Sequence, residues 1–269
     1  MEKRIRVRRD RPSALSWAIA LAATMAAVYL LTLGTPSATK AENAAASVRV
    51  TREVAFEGVD VFFASLGQYP DQWQARVAAA ELVSRGAAGA VHAQDGVWHV
   101  LGAGYALEAD AKRIAEKLAG QEGVEAQTLH LSAPAVSLRV TAPEEDAEAV
   151  IAADRVLRMQ MEQMNRLALQ ADRGEVSYAS ARTLARVAAS EVRTARKNLE
   201  GITGAQGQPV CAGLIRLLAG LEENLGFVTE GKPSGAELSG RLRLCHADGV
   251  LALAEFLRGL NGAAADPGI

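Results

Sequence analysis

The side chains of this chain that could do chemistry are few, and their spacing favours binding over catalysis. His92 and His99 flank an Asp-Gly pair and could bind a metal ion, but no third ligand follows at a recognised spacing. A surface pair that forms hydrogen bonds is the simpler interpretation. The sequence has no nucleophile–base signature, metalloprotease helix or phosphate-binding loop; Gly102-Ala103-Gly104 comes closest but lacks the third glycine. We therefore expect a protein that is not an enzyme and uses no cofactor or metal.

The two cysteines, Cys211 and Cys245, exclude a dense disulfide scaffold and a zinc site of four thiolates. If their helices form a plain hairpin about Gly231, Cys245 lies roughly 9 Å along the axis from the residue opposite Cys211. That separation exceeds the usual Cα range of a disulfide, so the pattern favours two separate thiols.

A membrane segment is predicted near the N-terminus. Residues 12–39 carry no charge, and the apolar run Ala14–Leu33 matches the about 20 residues that cross a ~30 Å hydrocarbon layer. Trp17 and Tyr29 lie near its ends, and six basic residues precede it, which predicts a cytoplasmic N-terminus and an extracytoplasmic remainder. We predict a cytoplasmic tail at 1–13, a transmembrane helix at 14–34 in the cell membrane and a linker at 35–52. A cleaved signal peptide and a soluble alanine-rich helix are the alternatives.

The region from Val59 to Leu131 repeats itself with a shift of 36 residues, which places Phe62–Tyr69 on Trp98–Tyr105. Each copy starts with a short apolar strand, continues with apolar residues at helical spacing and closes with another strand. Two such units joined by a hairpin form a ferredoxin-like βαββαβ sandwich, in which helices cover one side of a four-stranded sheet. The sequence therefore predicts an α+β fold here, within bounds that we place at 53–142.

The Asp95-Gly96 pair predicts a two-residue hairpin turn that pairs His92 with His99. Because side chains alternate along a strand, one face is predicted to lie under the helices, with Val91, Ala93, Trp98 and Val100. The other face is predicted to be open to solvent, and it carries His92, His99, Leu101, Phe63 and Ser65.

From residue 143 onward the pattern predicts an all-α region, 143–269, of four helices. The predicted core stripes are Val150, Leu157, Met161 and Met164; Leu184, Val187, Ala195 and Leu199; Leu214, Leu218, Leu221 and Leu225; and Leu238, Leu242, Val250, Leu253, Phe256 and Leu260. Met159 and its two neighbouring methionines are interpreted as core, not as a cofactor box. A small antiparallel bundle fits this pattern, and so do extended hairpins that pack against a partner.

The charge distribution argues against nucleic acid as a partner. The formal charge is −2, and residues 1–12 carry a net +4, which leaves −6 for the rest. An RNA-binding RRM-type domain shares the βαββαβ order, but it needs stacked aromatics with basic neighbours, and this sheet offers one candidate phenylalanine.

The 59–131 region, about a quarter of the chain, resembles the SPOR (sporulation-related repeat) family. The resemblance rests on Phe62-Phe63-Ala64-Ser65-Leu66-Gly67-Gln68-Tyr69, on Asp95-Gly96-Val97-Trp98-His99-Val100-Leu101, and on Ala75, Leu82, Ala111 and Leu118 of the helices. It implies a βαββαβ module that binds peptidoglycan, notably glycan strands stripped of their peptides at division septa. Such modules commonly follow one N-terminal anchor and a linker, which is the organisation predicted here.

The resemblance implies a glycan-binding surface made of Phe63, Ser65, Gln68, Tyr69, His99 and Leu101. The rings of Phe63 and Tyr69 could stack on pyranose faces, while Ser65 and Gln68 could hydrogen-bond sugar. Alternatively, Tyr69 packs against the first helix and the polar side chains serve no ligand. Ser65 stands where the family usually has Gln, and Ala103 where it usually has Gly; a serine offers fewer hydrogen bonds than a glutamine.

Two functional hypotheses follow. In the first, a single-pass membrane protein presents the SPOR-like domain to peptidoglycan glycan strands in cell-wall, division or sporulation processes. Residues 143–269 would then bind a protein partner or self-associate. In the second, the sheet binds no glycan, and the protein is an envelope scaffold that acts through protein contacts of its C-terminal helices.

Overall fold

The computed structural model describes residues 49–120 and 124–265. The predicted cytoplasmic tail, the predicted transmembrane helix and most of the predicted linker lie outside the described residues. Within these two ranges, none of the helices is both long and apolar enough to span a bilayer. The linker prediction is wrong at its C-terminal end, because residues 49–52 already belong to the first strand.

The described chain is a mixed α+β fold in which a sheet region is followed by helices, as predicted. The strands β2 (Val59–Tyr69), β3 (Ala90–Gln94), β4 (Val97–Tyr105) and β5 (Gln127–Ala133) form an antiparallel sheet in the order β3-β4-β2-β5. Helix α1 (Gln72–Ser84) follows β2, and helix α2 (Glu108–Ala119) follows β4. The predicted β-α-β-β-α-β order is therefore confirmed.

The two helices of the repeat use small residues to lie close to the sheet. Ala75 and Ala79 of α1 are buried, and so are their repeat equivalents Ala111 and Ala115 of α2. Asp71 caps α1 by accepting a hydrogen bond from the Gln74 backbone nitrogen at 2.9 Å. The repeat seen in the sequence is thus a repeat of helix–sheet packing.

The predicted hairpin is confirmed residue by residue. Gln94 pairs with Val97, Ala93 with Trp98, and His92 with His99. The two turn residues have positive φ, 52° at Asp95 and 80° at Gly96. A two-residue turn of this kind needs left-handed backbone at both positions, which Asp and Gly adopt more easily than other residues.

A second, two-stranded sheet was not predicted. Strand β1 (Arg49–Phe56) pairs antiparallel with β6 (Val136–Pro143), from Arg49 opposite Pro143 to Phe56 opposite Val136. Val54 and Phe56 point into the core, and the Phe56 ring meets Phe256 edge-on at 6.0 Å. This sheet joins the two ends of the repeat region to the helices that follow.

The four predicted helices are present: α3 (Glu144–Asp172), α4 (Tyr178–Glu200), α5 (Pro209–Thr229) and α6 (Gly235–Ala265). Most predicted core residues are buried, but Leu184 and Val187 are exposed and Phe256 is half-buried. The buried stripe of α4 is instead Ala181, Ala185, Ala188, Val192, Ala195 and Leu199. Alanines let α4 approach its neighbours closely, so the bulkier side chains point outward. Met161 and Met164 are core residues as predicted, whereas Met159 is exposed.

Helix α6 packs on the sheet face opposite α1 and α2, and α3 packs against α6 and the β1–β6 sheet and reaches the end of β4 through Asn165. A single hydrophobic core joins Phe63 and Leu101 of the sheet to Leu157 of α3 and Leu242 of α6. At the edges, Arg258 of α6 donates a hydrogen bond to the Ser132 carbonyl at 2.6 Å. The prediction that helices cover only one side of the sheet is therefore wrong.

Candidate functional site

The sheet face predicted to bind glycan is closed. Phe63, Ser65 and Leu101 have no exposed surface, and His99 is 7% exposed. The strand alternation was predicted correctly, because Phe63 and Leu101 do point away from α1 and α2. The prediction that this face is open to solvent is wrong, because the helices that follow the repeat cover it. In this structure these four residues cannot form a surface for a polymer.

The other two candidate residues lie at the end of β2. Gln68 is exposed and pairs with His99 across the strands. Tyr69 is half-buried and packs on the small cluster of Ala75, Ala79 and Val100 beneath α1. The structure therefore favours the packing interpretation of Tyr69 over a stacking platform for sugar.

Ser65 and His99 form a buried polar contact. The Ser65 Oγ lies 3.2 Å from His99 Nδ1 and 3.4 Å from the Gly67 carbonyl, and the Gln127 amide nitrogen lies 3.4 Å from the same Nδ1. The β2–β4 register shifts on both sides of Ser65. Because the hydroxyl has no exposed surface, it cannot reach a substrate, and its contacts instead satisfy polar groups at this irregularity.

His92 and His99 lie opposite each other across the β3–β4 hairpin, and the polar contacts of His99 are to Ser65 and Gln127. Burial lowers the pKa of both His92 and His99, so both rings are neutral near pH 7. No group of three or more potential ligands from His, Cys, Asp and Glu comes together within the described ranges. Cys211 and Cys245 are free, buried thiols, and burial raises the pKa of each. Thiols in that state are unreactive.

A cleft lies where the sheet meets α3 and α6, and we call it the His246 cleft. Its volume is about 330 Å³, and it is lined by Asp60, Val61, Gly104, Tyr105, Ala106, Glu162, Asn165, Arg166, Leu169 and His246. Asn165 donates a hydrogen bond to the Gly104 carbonyl at 3.2 Å, which joins α3 to the end of β4. Strand, turn and two helices thus converge on one cavity lined by both polar and apolar side chains.

His246 is the unusual residue of this cleft. The residue is 7% exposed, and its Nδ1 is fully buried with no hydrogen-bond partner in the described chain. Burial lowers the pKa of the imidazole to about 4, so the ring is neutral under ordinary conditions. Gly104 makes room for it, because a Cβ at that position would lie 2.7 Å from His246 Cε1. A buried polar atom without a hydrogen-bond partner is rare in proteins.

None of the three residues His246, Asn165 and Arg166 was predicted from the sequence as a functional candidate. The available signal was weak: His246 interrupts the apolar stripe of α6 between Leu242 and Val250, at the i, i+4 spacing of that stripe. A lone histidine among core residues does not show which strand it will meet.

Exposed apolar side chains mark a second surface, on the outside of α1. Trp73 is 74% exposed and Val77, one turn later, is 54% exposed. We call this pair the α1 ridge. A groove of about 500 Å³ runs between α1 and α6, lined in part by Arg76, Ala80 and Phe227. Large exposed aromatics are typical anchors of protein interfaces.

Comparison of the chain with protein-family models, with curated proteins and with solved structures found no match.

Proposed function

We propose that this protein is a single-pass envelope protein that acts as a scaffold through protein contacts, not as an enzyme. In this proposal the predicted segment 14–34 is the anchor, and the 59–133 region is a ferredoxin-like, SPOR-type module. That module serves as the platform on which the C-terminal helices are built, and the combined domain is presented outside the membrane.

The observation that carries the proposal is the closed sheet face. Opening it would expose Phe63, Leu101 and their neighbours together with the facing side chains of α6. Burial of one large apolar side chain contributes about 1.5–3 kcal/mol. Exposing several of them would therefore use up most of the about 5–15 kcal/mol that stabilises a typical domain. A glycan strand would have to supply that free energy before it could reach the predicted residues.

The α1 ridge is the surface that best fits protein contacts. Trp73 and Val77 are exposed on a helix whose other face is fixed to the sheet by Ala75 and Ala79. A partner could cover this ridge without disturbing the core. Either another envelope protein or a second copy of the chain is compatible with the proposal.

A binding assay on the whole protein tests the proposal against the glycan-binding hypothesis. Full-length protein is mixed with amidase-treated peptidoglycan sacculi and sedimented, with an unrelated protein of similar size as the control. We expect recovery no greater than that of the control. Recovery well above it, lost in Gln68→Ala, would support glycan binding and contradict the scaffold proposal.

A crosslinking experiment tests the protein contacts directly. A photoreactive residue at position 73 or 77 should give discrete crosslinked products in cells that make the protein. The same residue at Glu145, exposed at the start of α3, is the matched control. Equal yields at the two places would remove the α1 ridge from the proposal. A reporter enzyme at the C-terminus that is active only in the cytoplasm would remove the predicted topology.

A further inference from the structure

We infer that the groove between α5 and α6 binds the outer face of α4 from a second copy of this chain, so that copies associate head to tail. The inference deepens the scaffold proposal and rests on it, because it names a second copy of the chain as a protein that is contacted. The contact uses a surface other than the α1 ridge. The shape of the groove, its charge and the matching face of α4 support it.

The α5–α6 groove is long enough to receive a helix. The two helices run antiparallel, with Gly213 beside Phe256 and with the Asn224 amide nitrogen 3.4 Å from an Asp248 carboxylate oxygen. The groove has a volume of about 720 Å³ and extends along α5 from Pro209 to Asn224. At a rise of 1.5 Å per residue, that is a length of about 22 Å. The apolar side chains of its lining are Leu217, Leu221, Ala252, Phe256 and Leu260.

The groove is open above two glycines. Gly220 of α5 and Gly259 of α6 both line it, and a Cβ at either position would meet nothing within 4 Å. By contrast, a Cβ at Gly213 would lie 2.3 Å from the Phe256 ring. Gly220 and Gly259 therefore leave space in which another helix can approach the backbone closely.

The charge of the groove favours a basic occupant. The carboxylates of Glu223, Asp248 and Glu255 line it together with the guanidinium of Arg216, which gives a net negative lining. None of these four side chains forms an ion pair with another described residue. Contact between the grooves of two copies is disfavoured, because like charges repel. A basic helix face would instead be attracted.

The outer face of α4 has the complementary character. Leu184 and Val187 are 37% and 48% exposed. Arg186 and Lys197 are exposed too, and neither forms an ion pair within the described ranges. The helix contains five basic and two acidic residues, although residues 13–269 carry a net −6. Because its buried face packs on α3 and α5 of the same molecule, the outer face can enter such a groove only in a second copy.

The charges on the two surfaces have similar spacing. Glu255 lies level with Gly213, because the phenylalanine that follows it packs on that glycine. Gly213 and Glu223 are separated by about 15 Å along α5, and Arg186 and Lys197 by about 16 Å along α4. Two carboxylates of the groove can therefore meet the two basic side chains at the same time.

The contact is heterologous, because the groove and the α4 face are different surfaces. Each copy that binds through its groove keeps a free α4 face, and the copy bound there keeps a free groove. Association of this kind continues beyond the dimer unless it closes into a ring.

Sedimentation velocity of the full-length protein in detergent micelles tests the inference. Two variants each reverse the charge of one surface: Arg186→Glu with Lys197→Glu on α4, and Glu223→Lys with Glu255→Lys in the groove. All four positions are exposed, so we expect both variants to keep the circular dichroism spectrum of the parent protein. Each variant is measured alone and in an equimolar mixture with the other.

We expect the parent protein to form oligomers whose average mass rises with protein concentration and falls with added salt. Each variant alone should associate several-fold more weakly, because like charges then meet at the contact. The mixture should regain the association of the parent protein. In it, the acidic groove of the first variant meets the basic α4 face of the second, and the basic groove of the second meets the acidic α4 face of the first.

Matched control variants change the same properties at other places. Glu108→Lys with Glu116→Lys reverses two exposed carboxylates of α2 and should leave association unchanged. Gly220→Leu fills the groove and should weaken association several-fold. Gly226→Leu, on the same helix but outside the groove, should not, and a Cβ there also meets nothing within 4 Å. Leucine favours a helix more than glycine does, so both leucine variants should fold.

The inference is overturned if the parent protein sediments as a monomer at every concentration, or if either charge variant alone associates as the parent protein does. It is also overturned if the mixture of the two does not regain association. Each of these results would leave the scaffold proposal to be decided separately, by the crosslinks from positions 73 and 77.

Discussion

On one face of the four-stranded sheet, α1 buries Ala75 and Ala79 against Val100 in a small cluster. On the other face, α6 covers Phe63 and Leu101, which belong to a core that continues through the helical region. The first face is packed by helices that lie between its own strands in the sequence. The second is packed by helices that follow the last strand.

This difference shows where the stability of the sheet comes from. Alanines beneath α1 and α2 remove little apolar surface from water, whereas Phe63, Leu101, Leu129 and Leu131 are large and almost fully buried. The hydrophobic contribution scales with the apolar area buried. The repeat region, which looks like an independent module in sequence, therefore depends on the helices beyond it.

Removal of the helical region is the change with the largest expected effect. A chain that ends at Pro143 exposes Val59, Phe63, Leu101, Leu129 and Leu131, a loss of about 8–15 kcal/mol in total. This equals the stability of a typical domain, so we expect the shortened chain to lack a cooperative thermal transition by circular dichroism. A sharp transition with dispersed amide signals would show that the first face alone can support the sheet.

Two adjacent phenylalanines of β2 allow a sharper test. Phe63 is fully buried on the second face, whereas Phe62 is half-buried and stacks on His130 with ring centroids 4.4 Å apart. We expect Phe63→Ala to lower the free energy of unfolding by about 3–5 kcal/mol. Phe62→Ala should lower it by a much smaller amount, because solvent already reaches that ring. Urea denaturation measures both, and equal losses would contradict the unequal packing of the two faces.

The first face could be predicted from the sequence, and the cover of the second could not. The repeat, the Asp95-Gly96 turn and the strand alternation are local patterns, and they predicted correctly the order of strands and helices along the chain, the hairpin register and the faces of Phe63 and Leu101. The cover of the second face depends on contacts between residues more than 100 positions apart, such as Phe63 with His246. No periodicity within either segment specifies such a contact.

The same reason explains what was missed at the site. An alternating strand predicts that Ser65 and His99 share a face, and they do, but it does not say whether solvent or a helix lies beyond. Likewise, the β1–β6 pair joins segments about 90 residues apart, and the apparent linker composition of 49–52 concealed the first strand. Asn165 and His246 lie in segments whose periodicity predicts helices with a buried face, and that pattern does not indicate a site.

Two residues of α6, His246 and Asp248, are expected to change the stability of the protein with pH in opposite directions. His246 packs against the second face and has a pKa of about 4, below its ordinary 6.5. The unfolded chain therefore binds more protons between pH 4 and 6.5, and this residue makes stability fall as the pH is lowered through that range. Asp248 faces the grooves beside α1 and α5, and burial raises its pKa from 3.8 to about 6. Here the folded chain binds more protons, so stability falls as the pH rises from 3.8 to 6.

The two contributions oppose each other between pH 4 and 6, each with a slope of at most about 1.4 kcal/mol per pH unit. We expect Asp248→Asn to make stability rise more steeply with pH over this range than in the parent protein. His246→Gln should shift the slope in the opposite direction. Urea midpoints at four pH values between 4 and 7 provide the measurement. Identical slopes in both variants would mean that neither group is buried as the structure has it.

Substitution of two glycines compares the packing of the second face with that of an open helix surface. A Cβ at Gly104 would lie 2.7 Å from His246 Cε1 and 3.0 Å from Phe63 Cε1, whereas a Cβ at Gly220 of α5 meets nothing within 4 Å. Gly104→Ala should therefore destabilise the protein by about 1–3 kcal/mol. Gly220→Ala should stabilise it by about 0.5–1 kcal/mol, because alanine is the better helix former. If Gly104→Ala stabilises the protein, His246 can move away from the new methyl group, and the shape of the cleft is then not fixed.

The smallest effect on stability is expected at the outside of the first face. Trp73 is 74% exposed and Trp98 is half-buried beneath α1, so Trp73→Ser should change the free energy of unfolding by no more than about 0.5 kcal/mol. Trp98→Ser should lower it by considerably more, because that ring packs on Val100 and the buried alanines. If the α1 ridge is an interface, Trp73→Ser should nevertheless reduce crosslinking from position 77 to its partner. A protein of parental stability whose crosslinks persist would show that this exposed tryptophan is not an anchor, and the proposed contacts would then have to lie on the C-terminal helices.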